Sequence, residues 1–244
     1  MSGDILPSLP TDAAARRIVE GFLHPRMVAE HVFSAGGQCM TAAIRTLLPG
    51  RRFAGRALTV QTDPGFTRAA IKALEIASSG DVLVMAAGGD TEFSCWGSIV
   101  HWYAGRTGVA GVVIDAPVRD LLEIRRIDDA VPLFARGNAP AIRGFGPPDV
   151  GSIGQPVICG GVEVRTGDLV YGDDDGIVVV PWTQTGSALT LALKSIAFDD
   201  KELRWIESGR SVHDLIEMLW QRDGRAYKER KFRWTDGDSI DPLP

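Results

Sequence analysis

The chain has 244 residues, of which 45% are hydrophobic and 23% are charged, and it contains 28 glycines and 14 prolines. This composition is typical of a folded globular protein and excludes a low-complexity or collagen-like chain. The 26 basic and 31 acidic residues leave a net charge of −5. Nucleic-acid-binding proteins usually carry a basic surplus, so the charge balance argues against that class.

The sequence also argues against membrane insertion and secretion. No apolar run approaches the roughly 18 residues of a membrane-spanning helix, and residues 1–17 lack the apolar core of a signal peptide. The three cysteines are odd in number and have no CxxC spacing, which favours reduced thiols over a disulfide framework or a zinc site. We therefore expect a cytoplasmic protein with no membrane or nucleic-acid partner.

Through the first half of the chain, helical and strand-like patterns alternate. Helical spacing is found in four segments, residues 13–31, 67–78, 97–106 and 118–127. Strand-like runs occupy residues 56–62, 81–87, 111–115 and 131–136, and the glycine-broken segment 34–40 is predicted to be a loop. Two of these runs, 81–87 and 111–115, are continuously apolar, as strands covered on both faces are. The order predicts an α/β fold built on parallel strands with right-handed crossovers.

The second half is richer in β-structure and ends in a charged segment. Short strands are predicted at residues 162–165, 169–171 and 177–180, and helices at 184–207 and 211–220. Residues 221–244 are dense in charge but keep several aromatic residues, which predicts packing on a neighbouring subunit. We expect one domain over residues 1–220, followed by this extension.

Several catalytic motifs are missing, namely the GxxxxGK[ST] phosphate loop, HExxH, GxSxG and GxGxxG. The four histidines are scattered, which disfavours a histidine-based zinc site. Residues 173–175 could bind a cation, but an Asp-Gly between two strands is more often a turn. Residues 199–202 indicate a solvated helix face unless a partner chain reaches them. Cys95 and Cys159 are interpreted as packed thiols, and the basic run 222–233 as a subunit contact rather than an RNA-binding segment.

One candidate binding loop follows the predicted strand 81–87 and leads into a helix. In open α/β sheets, ligands bind at the carboxyl ends of the strands. The Trp-Gly at the end of this loop permits close approach of a ligand to the backbone, and free amides at a helix start form an anion site. The candidate amides are those of Gly97, Ser98, Ile99 and Val100. A helix start that is merely capped is an equally good interpretation of the position alone.

The other candidate loop, residues 115–120, follows the predicted strand 111–115. Arg119 carries a planar fork of donors that suits a carboxylate or a 2-oxo acid. Asp120 carries the hard oxygen atoms that Mg²⁺ and Mn²⁺ prefer. The alternative is a surface ion pair or a helix cap, and the bare sequence favours that alternative slightly.

Four segments, residues 42–60, 80–97, 108–120 and 156–181, resemble the RraA-like family. This family contains the 4-hydroxy-4-methyl-2-oxoglutarate / 4-carboxy-4-hydroxy-2-oxoadipate aldolases and the protein regulators of ribonuclease E activity. The resemblance covers roughly residues 25–220. It implies an α/β/α sandwich of the swivelling phosphohistidine-domain type with a central mixed sheet. It also implies a homotrimer or homohexamer with sites between subunits.

The resemblance also implies roles for individual residues. Arg119 matches the arginine that holds the oxo-acid oxygens, Asp120 the metal-binding aspartate, and residues 97–100 the loop that receives the carboxylate. A glutamate from a neighbouring subunit completes the family's aldolase site, and Glu202 is the best candidate here. The cofactor would be Mg²⁺ or Mn²⁺, with no organic cofactor. Two positions depart from the family pattern. The methyl group of Ala116, where the family usually has glycine, is expected to narrow the pocket, and the bulky segment 93–95 is expected to change the choice of substrate.

Taken with the resemblance, the residues predict a metal-dependent class II pyruvate aldolase. The expected substrate is a 4-hydroxy-2-oxo acid such as 4-hydroxy-4-methyl-2-oxoglutarate or 4-carboxy-4-hydroxy-2-oxoadipate, and oxaloacetate decarboxylation is expected as a side activity. Two alternatives stay open. One is a non-catalytic regulator that binds a ribonuclease, and the other is a related lyase or hydratase acting on another, sugar-derived oxo acid.

Overall fold

The computed structural model of the protein describes residues 13–147, 151–211, 214 and 216. Within these residues the helices are α1 (Ala13–Phe22), α2 (Ala29–Ser34), α3 (Arg68–Ile76), α4 (Ser98–Thr107), α5 (Leu121–Ile124) and α6 (Thr185–Glu207). The strands are β1 (Gln38–Cys39), β2 (Arg45–Thr46), β3 (Phe53–Gln61), β4 (Asp81–Ala86), β5 (Gly111–Ile114), β6 (Leu133–Ala135), β7 (Ser152–Ile153), β8 (Val157–Cys159), β9 (Val162–Val164), β10 (Leu169–Asp173) and β11 (Gly176–Val180).

The central sheet is mixed. Strands β3, β4, β5 and β6 lie side by side and parallel, and antiparallel strands extend the sheet at both edges in the order β1-β11-β10-β3-β4-β5-β6-β2. Strand β7 pairs with β3, and β8 and β9 form a separate hairpin. The predicted α/β class with a central mixed sheet is therefore confirmed. Its relation to the swivelling phosphohistidine domain stays a prediction.

Strand β4 shows why its sequence is continuously apolar. Leu83 and Met85 point into a cluster that includes alanines of α3. Val82 and Val84 point to the other face, where they pack in one cluster with side chains of the β8–β9 hairpin. Both faces of the strand are thus covered, and burying each such side chain contributes about 1.5–3 kcal/mol relative to exposing it.

The structure corrects three element predictions. The helical pattern over residues 13–31 is split into α1 and α2, because the intervening segment contains Pro25, which disfavours helix in the preceding residue. The predicted loop 34–40 contains the short strand β1, which pairs with β11. The helix predicted over residues 118–127 shrinks to α5, because Asp120 before it has a left-handed backbone with φ of +59°.

The chain divides into two compact units, Met1–Ile196 and Ala197–Pro244. In the first, α6 contributes Ala188, Ala192 and Ile196 to an apolar cluster with side chains of β10 and β11. In the second, α6 continues to Glu207, which is where the predicted helix 184–207 ends. Most of the predicted helix 211–220 and all of the extension 221–244 lie outside the described residues, so the domain boundary at residue 220 stays a prediction. Across the described part of the chain, no helix has the length and apolar character needed to span a membrane.

Candidate active site

The two candidate loops meet at the carboxyl edge of the parallel strands. The backbone amide of Arg119, in the loop after β5, donates to the carbonyl of Trp96, in the loop after β4, at 2.9 Å. The amide of Cys95 donates to the carbonyl of Pro117 at 3.3 Å. These bonds hold the start of α4 beside the Arg119-Asp120 pair, as the position of both loops after neighbouring strands predicted.

Gly97, the residue that caps the start of α4, lies against both side chains of that pair. A Cβ atom placed on Gly97 would lie 2.9 Å from Oδ2 of Asp120 and 3.2 Å from Nε of Arg119. The backbone of Gly97 is extended, with φ of −147°, so other residues could adopt its conformation. The requirement for glycine here is therefore one of space, and the space it leaves belongs to the Arg119 and Asp120 side chains.

Asp120 combines an unusual backbone with a partly accessible carboxylate. Its left-handed φ of +59° is rare for a residue other than glycine, although aspartate tolerates it better than most. Its Oδ2 accepts hydrogen bonds from the backbone amide and the hydroxyl of Ser98, both at 3.3 Å. The carboxylate thus sits at the positive end of α4, which stabilises its charge. Strained residues of this kind are typical of functional sites.

The guanidinium of Arg119 lies near Asp120 but forms only a loose ion pair with it. Its Nη1 lies 3.8 Å from Oδ1 of Asp120, and its side chain keeps 40% of its surface exposed. Its Nε is buried and has no hydrogen-bond partner among the described residues. A buried donor without an acceptor costs about 1–3 kcal/mol. The arrangement is that expected of a guanidinium whose acceptor is supplied by a bound ligand.

The predicted anion site at the start of α4 is only partly free. Asp120 already occupies the amide of Ser98. No hydrogen bond among the described residues engages the amides of Gly97, Ile99 and Val100, as expected for the start of a helix. The amides that remain for a ligand carboxylate are therefore those of Gly97, Ile99 and Val100.

The close contact at Gly97 leads to a first prediction. Replacing Gly97 with alanine places a methyl group where Asp120 and Arg119 now lie. If the protein has the pyruvate-releasing activity that the sequence predicts, we expect the catalytic efficiency of that activity to fall by about a hundredfold, the effect of misplacing reacting groups by about 1 Å. Because the backbone of Gly97 is extended, folding should be affected little. Steady-state kinetics and thermal unfolding of Gly97→Ala measure both.

Gly105, on the same helix, offers the matched control. A Cβ atom there would have Val131 as its nearest neighbour, at 4.0 Å, so Gly105→Ala should leave activity unchanged and stabilise the helix by up to about 1 kcal/mol. Equal activity losses in the two variants would contradict the spatial role of Gly97.

An ion pair that the sequence analysis missed, between the partly buried Arg136 and the buried Asp115, stabilises the carboxyl edge of the parallel strands. Nε of Arg136, at the end of β6, donates to Oδ1 of Asp115, at the end of β5, at 2.5 Å. Oδ2 of Asp115 accepts from the amide of Gly160, and its backbone carbonyl accepts from the amide of Gly89. The pair therefore connects four chain segments around the site. The signal in the sequence was opposite charges directly after two strands that proved to be neighbours.

Asn138 is the other residue that the sequence analysis missed. A cavity of about 220 Å³ is lined by residues 118–121, which include the Arg119-Asp120 pair, and by residues 138–140. Asn138 is fixed there by a parallel bridge to Val118. No hydrogen bond among the described residues engages its side chain.

Behind the start of α4, Trp96 and His101 form a buried pair. The indole Nε1 of Trp96 donates to Nδ1 of His101 at 3.2 Å. Both side chains are buried. Burial lowers the pKa of His101 to about 4, so the ring is neutral at physiological pH and accepts this bond. The pair supports the backbone turn that leads into α4, and it gives His101 a structural role.

This pair predicts a pH dependence of folding. The unfolded chain takes up a proton on His101 near pH 6.5, whereas the folded chain does so only near pH 4. We therefore expect the free energy of unfolding to fall by about 3 kcal/mol as the pH drops through this window. Denaturant unfolding at several pH values measures the loss. His101→Gln, which keeps an acceptor for Trp96, should show a shallower pH dependence, and parallel curves for the two proteins would contradict the assignment.

The other two acidic clusters of the sequence, residues 173–175 and 199–202, lie at a turn and on a helix. Asp173 and Asp174 lie at the β10–β11 turn, as predicted. The carboxylate of Asp173 accepts from the amide of Ala29 at the start of α2, and that of Asp174 from the amide of Gly50. The prediction that residues 199–202 form a solvated helix face is only partly correct, because Asp199, Asp200 and Glu202 are half-buried. No group of three or more metal-binding side chains occurs within the described part of the chain.

The structure also shows the surroundings of two cysteines and of the two positions that depart from the family pattern, Ala116 and segment 93–95. Cys95 and Cys159 are buried, and burial raises the pKa of both, which agrees with packed thiols. Ala116 lies in the core and does not line the 220 Å³ cavity, so its methyl does not narrow that pocket. The ring of Phe93 is covered by the guanidinium of Arg143, whose carbon lies 4.1 Å from the ring centre.

Asp120 is the carboxylate available for a cation at this site. Mg²⁺ and Mn²⁺ retain several waters and are bound by one or two carboxylates together with the substrate. A single partly exposed carboxylate on the cavity wall fits that mode and does not form a closed cage. Glu202, predicted to complete the site, lies on α6 in the second compact unit.

The fold and these loops define an α/β protein with an open polar site at the carboxyl edge of its parallel strands. The sequence model of the RraA-like family (aldolase/RraA) matches residues 26–179. The chain is 36% identical over 191 residues to a Halalkalibacterium halodurans protein named "Putative 4-hydroxy-4-methyl-2-oxoglutarate aldolase", covering 78% of this chain and 84% of that one.

Two further proteins are similar. A Thermus thermophilus protein named 4-hydroxy-4-methyl-2-oxoglutarate aldolase is 31% identical over 153 residues, 62% of this chain and 88% of its own. The crystal structure of Streptomyces coelicolor RraAS2, described as an unusual member of the RNase ES inhibitor RraA family, has a TM-score of 0.64 and 28% identity, covering 80% of this chain and 98% of that one. The chain belongs to the RraA-like family.

Proposed function

We propose that this protein is a divalent-metal-dependent aldolase that cleaves a 4-hydroxy-2-oxo acid to pyruvate and a second carbonyl compound. The observation that carries the proposal is the buried Nε of Arg119, which lacks an acceptor, beside the strained and partly exposed Asp120. The names of the aldolase relatives support the same reaction class.

The substrate's 2-oxo acid end would be held by two sets of donors. The guanidinium of Arg119 would donate to the keto oxygen and one carboxylate oxygen, as its planar fork allows. The amides of Gly97, Ile99 and Val100 would donate to the carboxylate at the positive end of α4. These donors are held by backbone bonds between the two loops, so they are oriented before the substrate arrives.

Cleavage of the C3–C4 bond is then favoured by groups that stabilise the negative charge formed on the keto oxygen. A base removes the proton of the C4 hydroxyl, the C3–C4 bond breaks, and its electron pair moves to C3 and the keto oxygen as C4 becomes a carbonyl. Arg119 stabilises the negative charge that develops on the oxygen. Water then protonates C3 to give pyruvate. Asp120 would hold a Mg²⁺ or Mn²⁺ ion, which acts as a Lewis acid toward that oxygen when bound.

We assign the base to Glu202 of a neighbouring copy, as the family resemblance implies. The face of α4 beside the site supports an interface, because Ile99 and Trp102 are 81% and 55% exposed, and Leu122 of α5 is 65% exposed. Large apolar side chains grouped on one surface usually mark a contact with another chain. A trimer or hexamer would bring a second copy to this face.

Pyruvate release tests the proposal. We expect release from a 4-hydroxy-2-oxo acid, followed by lactate dehydrogenase and NADH, with Mg²⁺ or Mn²⁺ present and its loss on adding EDTA. Oxaloacetate decarboxylation should show the same metal dependence, since it passes through the same enolate. Folded, metal-loaded protein that releases no pyruvate from either compound would contradict the proposal.

A second candidate is a ribonuclease-binding regulator that performs no catalysis. The description of the Streptomyces coelicolor neighbour as a member of an RNase inhibitor family favours it. Such a regulator has no use for a buried donor without an acceptor beside a strained aspartate, so the site geometry favours the enzyme. Inhibition of a ribonuclease by protein that lacks aldolase activity would favour the regulator.

A further inference from the structure

The hydroxyl group of Ser98, the first residue of α4, lies beside the carboxylate of Asp120. Its Oγ is 3.3 Å from Oδ2 of Asp120, and the backbone amide of Ser98 is at the same distance from that oxygen. Ser98 is half-buried, and the two side chains come from the segments that follow β4 and β5. Two oxygen atoms from different segments are therefore held side by side at the carboxyl edge of the sheet.

The spacing of these two oxygens is longer than that of a strong hydrogen bond. A hydroxyl that donates to a carboxylate usually lies about 2.5–2.7 Å from it. Neighbouring oxygen ligands of an octahedral Mg²⁺ ion lie about 2.9 Å apart, because each oxygen is about 2.0–2.1 Å from the ion. The observed 3.3 Å is closer to the spacing of two metal ligands. A shift of about 0.4 Å would bring both oxygens to a cation.

The carboxylate of Asp120 is turned toward Ser98 and not toward the helix that it precedes. An aspartate before a helix usually accepts a hydrogen bond from an amide of that helix. Asp120 precedes α5, all of whose residues are described, yet its side chain makes no capping bond there. Its backbone is left-handed, and Gly97 leaves the space that the carboxylate occupies. Both features bring Asp120 into contact with Ser98.

A serine hydroxyl is a suitable second ligand for a hard cation. Mg²⁺ and Mn²⁺ prefer oxygen ligands, and Ser or Thr hydroxyls bind Mg²⁺ in phosphate-binding loops. The other carboxylate oxygen of Asp120, Oδ1, lies 3.8 Å from Nη1 of Arg119. A cation on the Oδ2 side therefore meets the neutral hydroxyl of Ser98, whereas a cation on the Oδ1 side meets a positive charge.

We propose that the hydroxyl of Ser98 is a second protein ligand of the divalent cation, beside Oδ2 of Asp120. This inference rests on the proposed function, which places the cation at Asp120, and it adds one residue to that site. With two neighbouring ligands from the protein, the ion keeps its other positions for water and for the 2-oxo acid. The ligand pair fixes the side of Asp120 on which the substrate binds.

Binding of Mn²⁺, followed by electron paramagnetic resonance, tests the pair without relying on activity. Pyruvate is present throughout, because it supplies the negative charge of a 2-oxo acid. Ser98→Ala should raise the Kd for Mn²⁺ about tenfold or more, whereas Ser98→Thr, which keeps a hydroxyl, should bind Mn²⁺ about as tightly as the wild type. A hydroxyl that only orients Asp120 would give a similar loss in Ser98→Ala, so a further variant is needed.

Ser98→Cys separates a ligand from an orienting group. Thiolates prefer soft cations, so this variant should bind Mn²⁺ about tenfold more weakly than the wild type and Cd²⁺ about tenfold more tightly. The bond between Cd²⁺ and a thiolate also adds an ultraviolet charge-transfer band. A side chain that only orients Asp120 gives no such exchange of metal preference. The wild type keeps the exposed Cys39 and therefore supplies the background for Cd²⁺.

Ser187 provides the matched control. It lies in the first turn of α6, within the first compact unit, and its hydroxyl donates to the carbonyl of Gln184 at 2.8 Å. Ser187→Cys also places a thiol at the start of a helix, but away from Asp120. It should bind Mn²⁺ as the wild type does, and its affinity for Cd²⁺ should stay well below that of Ser98→Cys.

The outcomes distinguish this inference from the proposed function. Unchanged Mn²⁺ affinity in Ser98→Ala, or equal Cd²⁺ affinity in the two cysteine variants, would overturn the role of Ser98 and leave the proposed function intact. The exchange of metal preference in a protein that releases no pyruvate from a 4-hydroxy-2-oxo acid would overturn the aldolase and support the ligand pair. Wild-type protein that binds no Mn²⁺ would overturn both.

Discussion

Replacing Arg119 with alanine is expected to lower kcat for pyruvate release by about 10²–10³-fold and to raise KM for the 2-oxo acid, since one charge-stabilising donor group is lost from the site. The loss should fall on catalysis more than on folding. The side chain is 40% exposed and its pairing with Asp120 is loose, at 3.8 Å. Such a pair contributes about 0–1 kcal/mol to stability. Steady-state kinetics and thermal unfolding of the variant measure the two effects separately.

Two controls sharpen this result. Arg119→Lys keeps the positive charge but not the planar fork, so it should recover little of the activity. Arg165→Ala removes an arginine of the first compact unit that forms an exposed ion pair with Glu163, away from the candidate site, and its activity should equal that of the wild type. Full activity in Arg119→Ala would remove this residue from the mechanism.

Replacing Asp120 with asparagine is expected to lower kcat/KM by about a thousandfold, or about 4 kcal/mol of transition-state stabilisation. Asparagine tolerates the left-handed backbone at this position and still accepts from Ser98, so the fold should persist. The lost charge should abolish the stimulation by Mg²⁺ or Mn²⁺. Pyruvate release over a range of metal concentrations, with Mn²⁺ binding followed by electron paramagnetic resonance, measures both consequences.

Asp129 provides the matched control for that substitution. It is the other non-glycine residue with positive φ in the described part of the chain, at +52°, and it does not line the 220 Å³ cavity. Asp129→Asn should keep metal-stimulated activity. If Asp120→Asn kept its response to metal, the cation would have to be held elsewhere.

The sequence was most informative about the strands that position the site. The continuously apolar runs 81–87 and 111–115 correspond to β4 and β5, because strands covered on both faces carry no polar alternation. Their positions alone were enough to place two loops at one edge of the sheet. The resemblance to the RraA-like family then singled out Arg119 and Asp120, which the bare sequence could not separate from a surface ion pair.

The features that the sequence did not predict depend mostly on contacts between segments that are far apart in the chain. The pairing of Asp115 with Arg136 requires knowing that β5 and β6 are neighbours and in which register. The short α5 follows from the backbone of Asp120, and a periodicity argument cannot anticipate a single left-handed residue. Asn138 was missed because a lone asparagine in a Gly- and Pro-rich segment is typical of a turn.

The relatives leave two kinds of activity open, since the family contains proteins named as aldolases and proteins described as ribonuclease inhibitors. Fold similarity does not decide between them, because function depends on the site that a fold carries. In this chain the features that favour the proposed aldolase are local. They are the unpartnered Nε of Arg119, the strained Asp120 and the space that Gly97 leaves for both.

The central claim is that this site stabilises the enolate of pyruvate. Exchange of the methyl protons of pyruvate in D₂O, followed by proton NMR with Mg²⁺ present, tests it without knowledge of the natural substrate, because deprotonation at C3 reverses the last step of the cleavage. We predict loss of the methyl signal with the wild-type protein, and none with Arg119→Ala or after EDTA. A signal that persists with folded, metal-loaded wild-type protein would contradict the claim.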